Sequence, residues 1–216
     1  GSSPGFSCIL GNPPWEEVKV EERSFWAGIE PGLWASGQQR IDARIAELRE
    51  EQPLQFGELV RQQQRAHNYV DALRAGPYPG MEVGDPDLYK SFAWRFWQLL
   101  ARQGVLGVVL PRQALQAKGS ESWRRNLLES GDFMEVLIGR NHGGWLFDDV
   151  GASIGVALVS IRRTGLPDDE VLVRGPYDSL RQFRLGLTRP PGRLEAEGVL
   201  SWTEAASFPL IPNEEA

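Results

Sequence analysis

Residues Asp87–Pro111 read DLYKSFAWRFWQLLARQGVLGVVLP, an amphipathic stretch that runs without a break into a wholly apolar one. Leu88, Phe92, Phe96, Leu99 and Leu100 recur at helical spacing on one face; Asp87 suits the N-terminal cap, and Gly104 suits the stop. Val105–Leu110 carries no polar residue, as expected of a short strand covered on both faces of a parallel sheet. The neighbouring segments extend this unit. Phe6–Leu10 is an apolar run closed by Gly11, which predicts another buried strand. SESWRRNLLESG (120–131) reads as a serine-capped helix, and FMEVLIG (133–139) and ASIGVALVSIRR (152–163) read as further strands. Strand, helix, strand, helix, strand in that order predicts an α/β sheet with right-handed crossovers.

Between the first strand and Asp87 the pattern changes. Residues 16–36 have no clear period. From Gln38 to Arg74 the spacing predicts two helices, with Ile41, Ile45 and Leu48 marking the first and Leu59, Val60, Tyr69 and Leu73 the second. Pro53 reads as a stop between them. Acids and arginines alternate along their polar faces, the pattern of a solvated surface. GPYPGMEVGDPD (76–87) is a turn-rich connector. From Gly165 the periodicity weakens, and LTRPPGRLEAEG (187–198) reads as a linker.

Composition narrows the function. A net charge of −6 argues against a simple basic coat for nucleic acid, although RSF, SWRRN and SIRR are local basic spots. No apolar run is long enough to cross a membrane. The single cysteine, Cys8, lies in the apolar run FSCIL, so a buried, idle thiol in a reducing cytoplasm is expected. His67 and His142 have no second histidine or cysteine at metal-ligand spacing, so no metal is expected. The acidic pairs Asp148–Asp149 and Asp168–Asp169 read as turns.

The chemistry concentrates in GNPPW (11–15), immediately after the first strand. Ligands of open α/β sheets bind beyond the carboxyl ends of the strands. The Asn12 side-chain oxygen and the Pro13 carbonyl are both acceptors, and the prolines fix the backbone that carries them. Two convergent acceptors suit a planar –NH₂ group. Trp15 adds a flat face for stacking. Gripping both amine hydrogens would localise a lone pair otherwise delocalised into a ring and aim it at an electrophile. The alternative is structural: Asn12 capping the next helix, with Trp15 packing as its hydrophobic staple.

GNPPW resembles the Asn/Asp/Ser-Pro-Pro-aromatic motif of amino-methyltransferases that use S-adenosylmethionine. Further segments match in the same order. DLYKSF (87–92) is similar to the Asn-Leu-Tyr-x-x-Phe segment of N6-adenine DNA methyltransferases, and QGVLGVVLPRQAL (103–115) to the strand and loop that follow it. GWLFDDVGASIGVALVSIRR (144–163) is similar to the later strand pair. Type IIG restriction–modification and phage-defence methylases are the nearest likeness.

The resemblance implies a partial doubly wound, Rossmann-like methyltransferase sheet and methyl transfer to the adenine 6-amino group. Asn12 and Pro13 would accept the amine's hydrogens, Pro14 would shape the loop, and Trp15 would stack on the extruded base. Phe147 would pack on the base's other side, and Phe92 would wall the cofactor's adenine; for both, plain core burial is the alternative. The family's glycine-rich cofactor turn and its acidic partner have no counterpart in this sequence. Residues 5–165 are therefore expected to be the second half of the catalytic domain, with a mostly helical insertion at 27–85. Residues 166–216 are expected as a linker entering a target-recognition region. A missing N-terminal half or a self-associated copy would complete the site, and DNA would be met through a larger parent protein. The alternatives are the same chemistry on a protein glutamine amide or an RNA base, and a non-catalytic interaction module.

Overall fold

The computed structural model describes residues 4–35, 37–130, 132–148, 151, 154–164 and 169–209. The chain is α/β. It divides into a sheet-bearing unit, residues 1–16 with 77–216, and a helical unit, Glu17–Gly76.

The sheet unit carries β1 (Phe6–Gly11), β2 (Leu100–Pro111), β3 (Phe133–Arg140), β4 (Gly155–Arg162), β5 (Glu170–Tyr177) and β6 (Gly192–Glu195) in the order β1-β2-β4-β3-β5-β6. The parallelism expected from Val105–Leu110 is found on one side only, and the two-faced burial is not found. β1–β2 and β3–β5 are parallel, whereas β2–β4, β4–β3 and β5–β6 are antiparallel. Along β2, Leu106, Val108 and Leu110 are buried while Val105, Gly107 and Val109 are partly exposed. An antiparallel neighbour permits this alternation, because no crossover helix has to cover the second face.

The packed face is held by α4 (Leu88–Leu99), α5 (Glu121–Glu129) and α7 (Ala196–Trp202). On α4 the core stripe is Tyr89, Ala93, Trp94 and Trp97, with Leu100 following. Phe92 and Phe96, expected in that stripe, are partly exposed. The helix also ends earlier than Gly104, since Leu100 already pairs with Phe6. Ser120 stands at the N-terminal cap of α5 without a side-chain capping bond.

The stretch from residue 169 to 209 is not a bare linker. Besides β5, β6 and α7 it forms α6 (Leu180–Leu187), where Ser179 caps the helix by accepting the Gln182 N–H. Its end is tied down by Arg124, a fully buried arginine. The guanidinium donates to the carbonyls of Ala114, Ala117, Ala205 and Ala206 at 2.6–3.0 Å. Burial pushes this guanidinium down to about 10.

The strand β1 corrects a second expectation. It is largely exposed, with Phe6 at 58% and Leu10 at 81%, and the Cys8 thiol is exposed as well. The reason is topological: β1 ends the sheet, pairs with β2 on one side and has no strand on the other among the described residues.

The helical unit comprises α1 (Glu22–Ile29), α2 (Gln38–Glu51) and α3 (Pro53–Ala75). Trp26, Ile41, Ile45, Leu48 and Leu59 form its core, with Leu33 beside them. Pro53 begins α3 instead of simply ending α2, and the first helical turn tolerates its missing N–H. Val60 and Tyr69, read as apolar-face positions, are exposed. The polar faces are cross-linked: Arg44 bonds Glu30, Glu47 and Glu51, and Arg49 bonds Glu22. This unit overlaps the 27–85 span read from sequence but starts and stops earlier. No described helix is long and apolar enough to cross a membrane.

Candidate active site at the carboxyl ends of the strands

β1 delivers the Asn12–Trp15 loop at its carboxyl end. Gly11 is required just before it, because a Cβ there would meet the Phe96 ring at 2.8 Å. The loop's exit is fixed too, since Glu16 accepts the N–H of Leu88 at 3.0 Å. This bond joins the Asn-Pro-Pro-Trp loop to the start of α4, so two segments far apart in sequence are held together.

Within the loop, Pro13 is buried, Asn12 and Pro14 are exposed, and Trp15 is partly buried against the core. The Asn12 amide makes no hydrogen bond within the described residues. It caps no helix, because α1 begins only at Glu22 and its cap position is Glu21. The capping alternative therefore fails. The Trp15 indole Nε1 is buried and has no acceptor among the described residues.

Trp15 meets Phe147 edge to face, with centroids 6.0 Å apart and an interplanar angle of 82°. Sequence reasoning paired these two rings, and the fold brings them together. They touch directly, however, and do not stand parallel with a slot between them. Phe92 lies one step further out, 5.8 Å from Phe96, which itself covers Gly11.

Phe147 sits on a loop that closes the carboxyl end of β3, and Asn141 holds that loop. Fully buried, its side chain accepts the N–H groups of Leu146 and Phe147 at 3.0 and 3.1 Å and donates to the Phe147 carbonyl at 2.8 Å. The Trp145 indole donates to the Arg140 carbonyl at 2.7 Å. Leu146 folds back over Gly139, where a Cβ would meet its Cδ1 at 2.7 Å. The position of Phe147 is thus built from Asn141, Trp145, Leu146 and Gly139.

None of these supports was read from sequence. RNHGGW reads from sequence as a histidine without metal-ligand spacing and as a glycine-containing turn with no helix after it, although a polar residue ending an apolar strand is the same signal that marks Asn12. Phe96 was legible as an apolar position but not as the partner of Gly11. Among the described residues no three His, Cys, Asp or Glu side chains gather into a metal-binding group. Asp149 and Asp168 lie outside the described residues.

Charge is distributed unevenly around this end of the sheet. Arg140 bonds Asp178 at 2.6 Å, and the other Asp178 oxygen faces His142 Nδ1 at 3.3 Å. Arg112, the first residue after β2, makes no ion pair or hydrogen bond within the described residues. Partial burial, and then the neighbouring Arg140, hold its guanidinium below the usual range.

No family model matches this chain, and no curated protein does. Solved structures with a similar course of chain exist at low identity. One is a type I restriction-modification system methyltransferase subunit from Streptococcus thermophilus: 15% identity, 91% of this chain, 36% of that one, TM-score 0.46. A second is DrdV in complex with DNA: 14% identity, 88% of this chain, 17% of that one, TM-score 0.46. A third is the type IIG restriction endonuclease BpuSI: 19% identity, 62% of this chain, 17% of that one, TM-score 0.43. The chain spans 17% of each of the two larger proteins, so it compares with only a piece of them.

Proposed function

We propose that this chain forms the amine-gripping half of an S-adenosylmethionine-dependent methyltransferase that modifies the N6 amino group of adenine in DNA, within a larger restriction–modification or phage-defence protein. The observation that carries the reading is the state of Asn12. Its amide is exposed, makes no hydrogen bond within the described residues and stands at the carboxyl end of a strand, on a loop whose exit is fixed and whose entry abuts Phe96. An uncommitted amide on a rigid loop suits a ligand better than it suits folding.

In this reading the Asn12 side-chain oxygen and the Pro13 carbonyl each accept one hydrogen of the adenine amino group. The amino nitrogen is thereby drawn out of conjugation, and its lone pair points away from the ring. The proline-fixed backbone keeps the acceptors in place, so little reorganisation accompanies the reaction. Trp15 offers a stacking face to the extruded base and recovers part of the unstacking cost. Phe147, already in edge contact with Trp15, bounds the same space; seating a base between the rings requires one of them to swing aside. The Trp15 Nε1, buried without an acceptor among the described residues, is a donor left over for a ligand.

S-adenosylmethionine supplies the electrophilic methyl group. Of this chain's residues only Phe92, backed by Phe96, is assigned to it, as an apolar wall. The described residues contain no strand followed by a glycine-rich turn with an acidic partner strand. The main grip on the cofactor is therefore assigned to a further segment or a second copy that pairs with the free edge of β1.

The test is methyl transfer from labelled S-adenosylmethionine to adenine-containing duplexes by the parent protein carrying this segment. Asn12→Ala should lower kcat by about 10²–10³-fold, the effect of removing one oriented dipole. Transfer to DNA that survives the substitution refutes the role, and transfer to protein alone moves the substrate to a glutamine amide.

A further inference from the structure

We infer that Arg112 and Arg140 form a phosphodiester-binding point for the nucleic-acid strand whose base enters the Asn12–Trp15 loop. The inference rests on the DNA reading above and adds a partner contact that sequence reasoning did not assign.

β2 and β3 both run antiparallel to β4, so Arg112, just past the end of β2, and Arg140, the last residue of β3, lie at the same end of the sheet. β1 runs parallel to β2 and delivers Asn12 at that end too. Gly11 stands opposite Val108, so Arg112 lies four residues beyond, roughly 13 Å along the strand. That is within reach of the backbone flanking an extruded base.

The two arginines are also brought side by side. The stem of Arg112 crosses Gly155, where a Cβ would come within 2.9–3.0 Å of its Cδ and Cβ. Gly155 is the residue opposite Arg140 in the β3–β4 ladder. Any other residue at position 155 would push Arg112 off this path.

Charge bookkeeping then points to an anion. Asp178 is committed to Arg140 and faces His142. Asp148, exposed on the intervening loop, forms no ion pair within the described residues, and Arg112 has no acidic partner there. A partly desolvated cation beside a like charge, with no acidic partner among the described residues, costs stability that an arriving oxyanion would return. The guanidinium fork matches phosphate oxygens two at a time. With Arg140 bonded to Asp178, Arg112 is left to meet an arriving oxyanion.

The experiment uses the 216-residue chain and a fluorescein-labelled duplex with one unpaired adenine opposite an abasic site, titrated across salt concentrations. Each phosphate neutralised on duplex DNA contributes about 0.9 to the slope of log affinity against log salt. Arg112→Gln should reduce the slope by about that amount, and Arg112→Lys should restore it. A parallel Asn12→Ala series should lose preference for adenine over thymine at an unchanged slope.

A wild-type slope in Arg112→Gln, or no binding of the duplex by the wild-type chain, overturns the phosphate point. Competition by inorganic phosphate at the concentration of the duplex phosphates overturns its assignment to a nucleic-acid backbone. An intact Arg112 effect with unaltered adenine preference in Asn12→Ala supports the phosphate point while removing the adenine reading beneath it.

Discussion

Tyr89 shows how much a single buried side chain can say about stability. Burial raises its phenol to about 12, and its hydroxyl is enclosed together with those of Ser120 and the indole of Trp123. Below pH 10 the phenol is protonated whether the chain is folded or not, so it contributes no pH dependence. Between pH 10 and about 12 the unfolded chain releases that proton and the folded chain does not, so stability falls as pH rises through the window. Denaturant melts at stepped alkaline pH should show a slope that approaches about 1.4 kcal/mol per pH unit from this group. Tyr89→Phe should lose that component of the slope. At this scale the sequence spoke unevenly. Asn12 and Trp15 were legible because Asn-Pro-Pro-Trp is a poor fit to ordinary folding. Asn141 was not, because its importance lies in backbone groups it satisfies five and six residues away, which no spacing rule reveals.

Among the elements, β1 and α4 are coupled through one missing methyl. Phe96 rests where a side chain at position 11 would otherwise stand. Gly11→Val should force the ring off its rotamer and cost about 1–3 kcal/mol by overpacking, measured as a lowered urea midpoint at unchanged m-value. It should also shift the Asn12 loop, so adenine transfer by the parent should fall further than stability alone explains. The elements themselves were mostly visible in the sequence: α2, α3, α5, β2, β3 and β4 follow from periodicity. α1 and the late elements from β5 to α7 were missed. They are short and hold their places by long-range contacts, as Arg174 does by bonding Glu135 and the carbonyls of Gly186 and Arg189. The error over both-face burial of β2 has a similar origin, since an apolar run reports burial without naming the direction of its neighbour.

Across the whole molecule, the most consequential surface is the free edge of β1. Backbone groups with no strand partner among the described residues, flanked by Phe6 and Leu10, form a template for another strand. The isolated chain should therefore self-associate as concentration rises, and sedimentation velocity should show the shift. Leu10→Lys should suppress it without lowering the thermal midpoint, because Leu10 is already 81% exposed. A chain that stays monomeric at high concentration, or a variant that associates as readily, would show that the edge attracts nothing. The α/β class was readable from strand and helix order, whereas the division into two units at Glu17 and Gly76 was only approached, because residues 16–36 carry no period.

The Arg124 knot gives the tail an architectural role. Two of its four acceptors are contributed by Ala205 and Ala206, so cutting the polypeptide ahead of them would strand a cation in hydrocarbon with half its ligands gone. Ala205 and Ala206 therefore serve as a keystone, and designs that trim the molecule for crystallisation or fusion must leave them in.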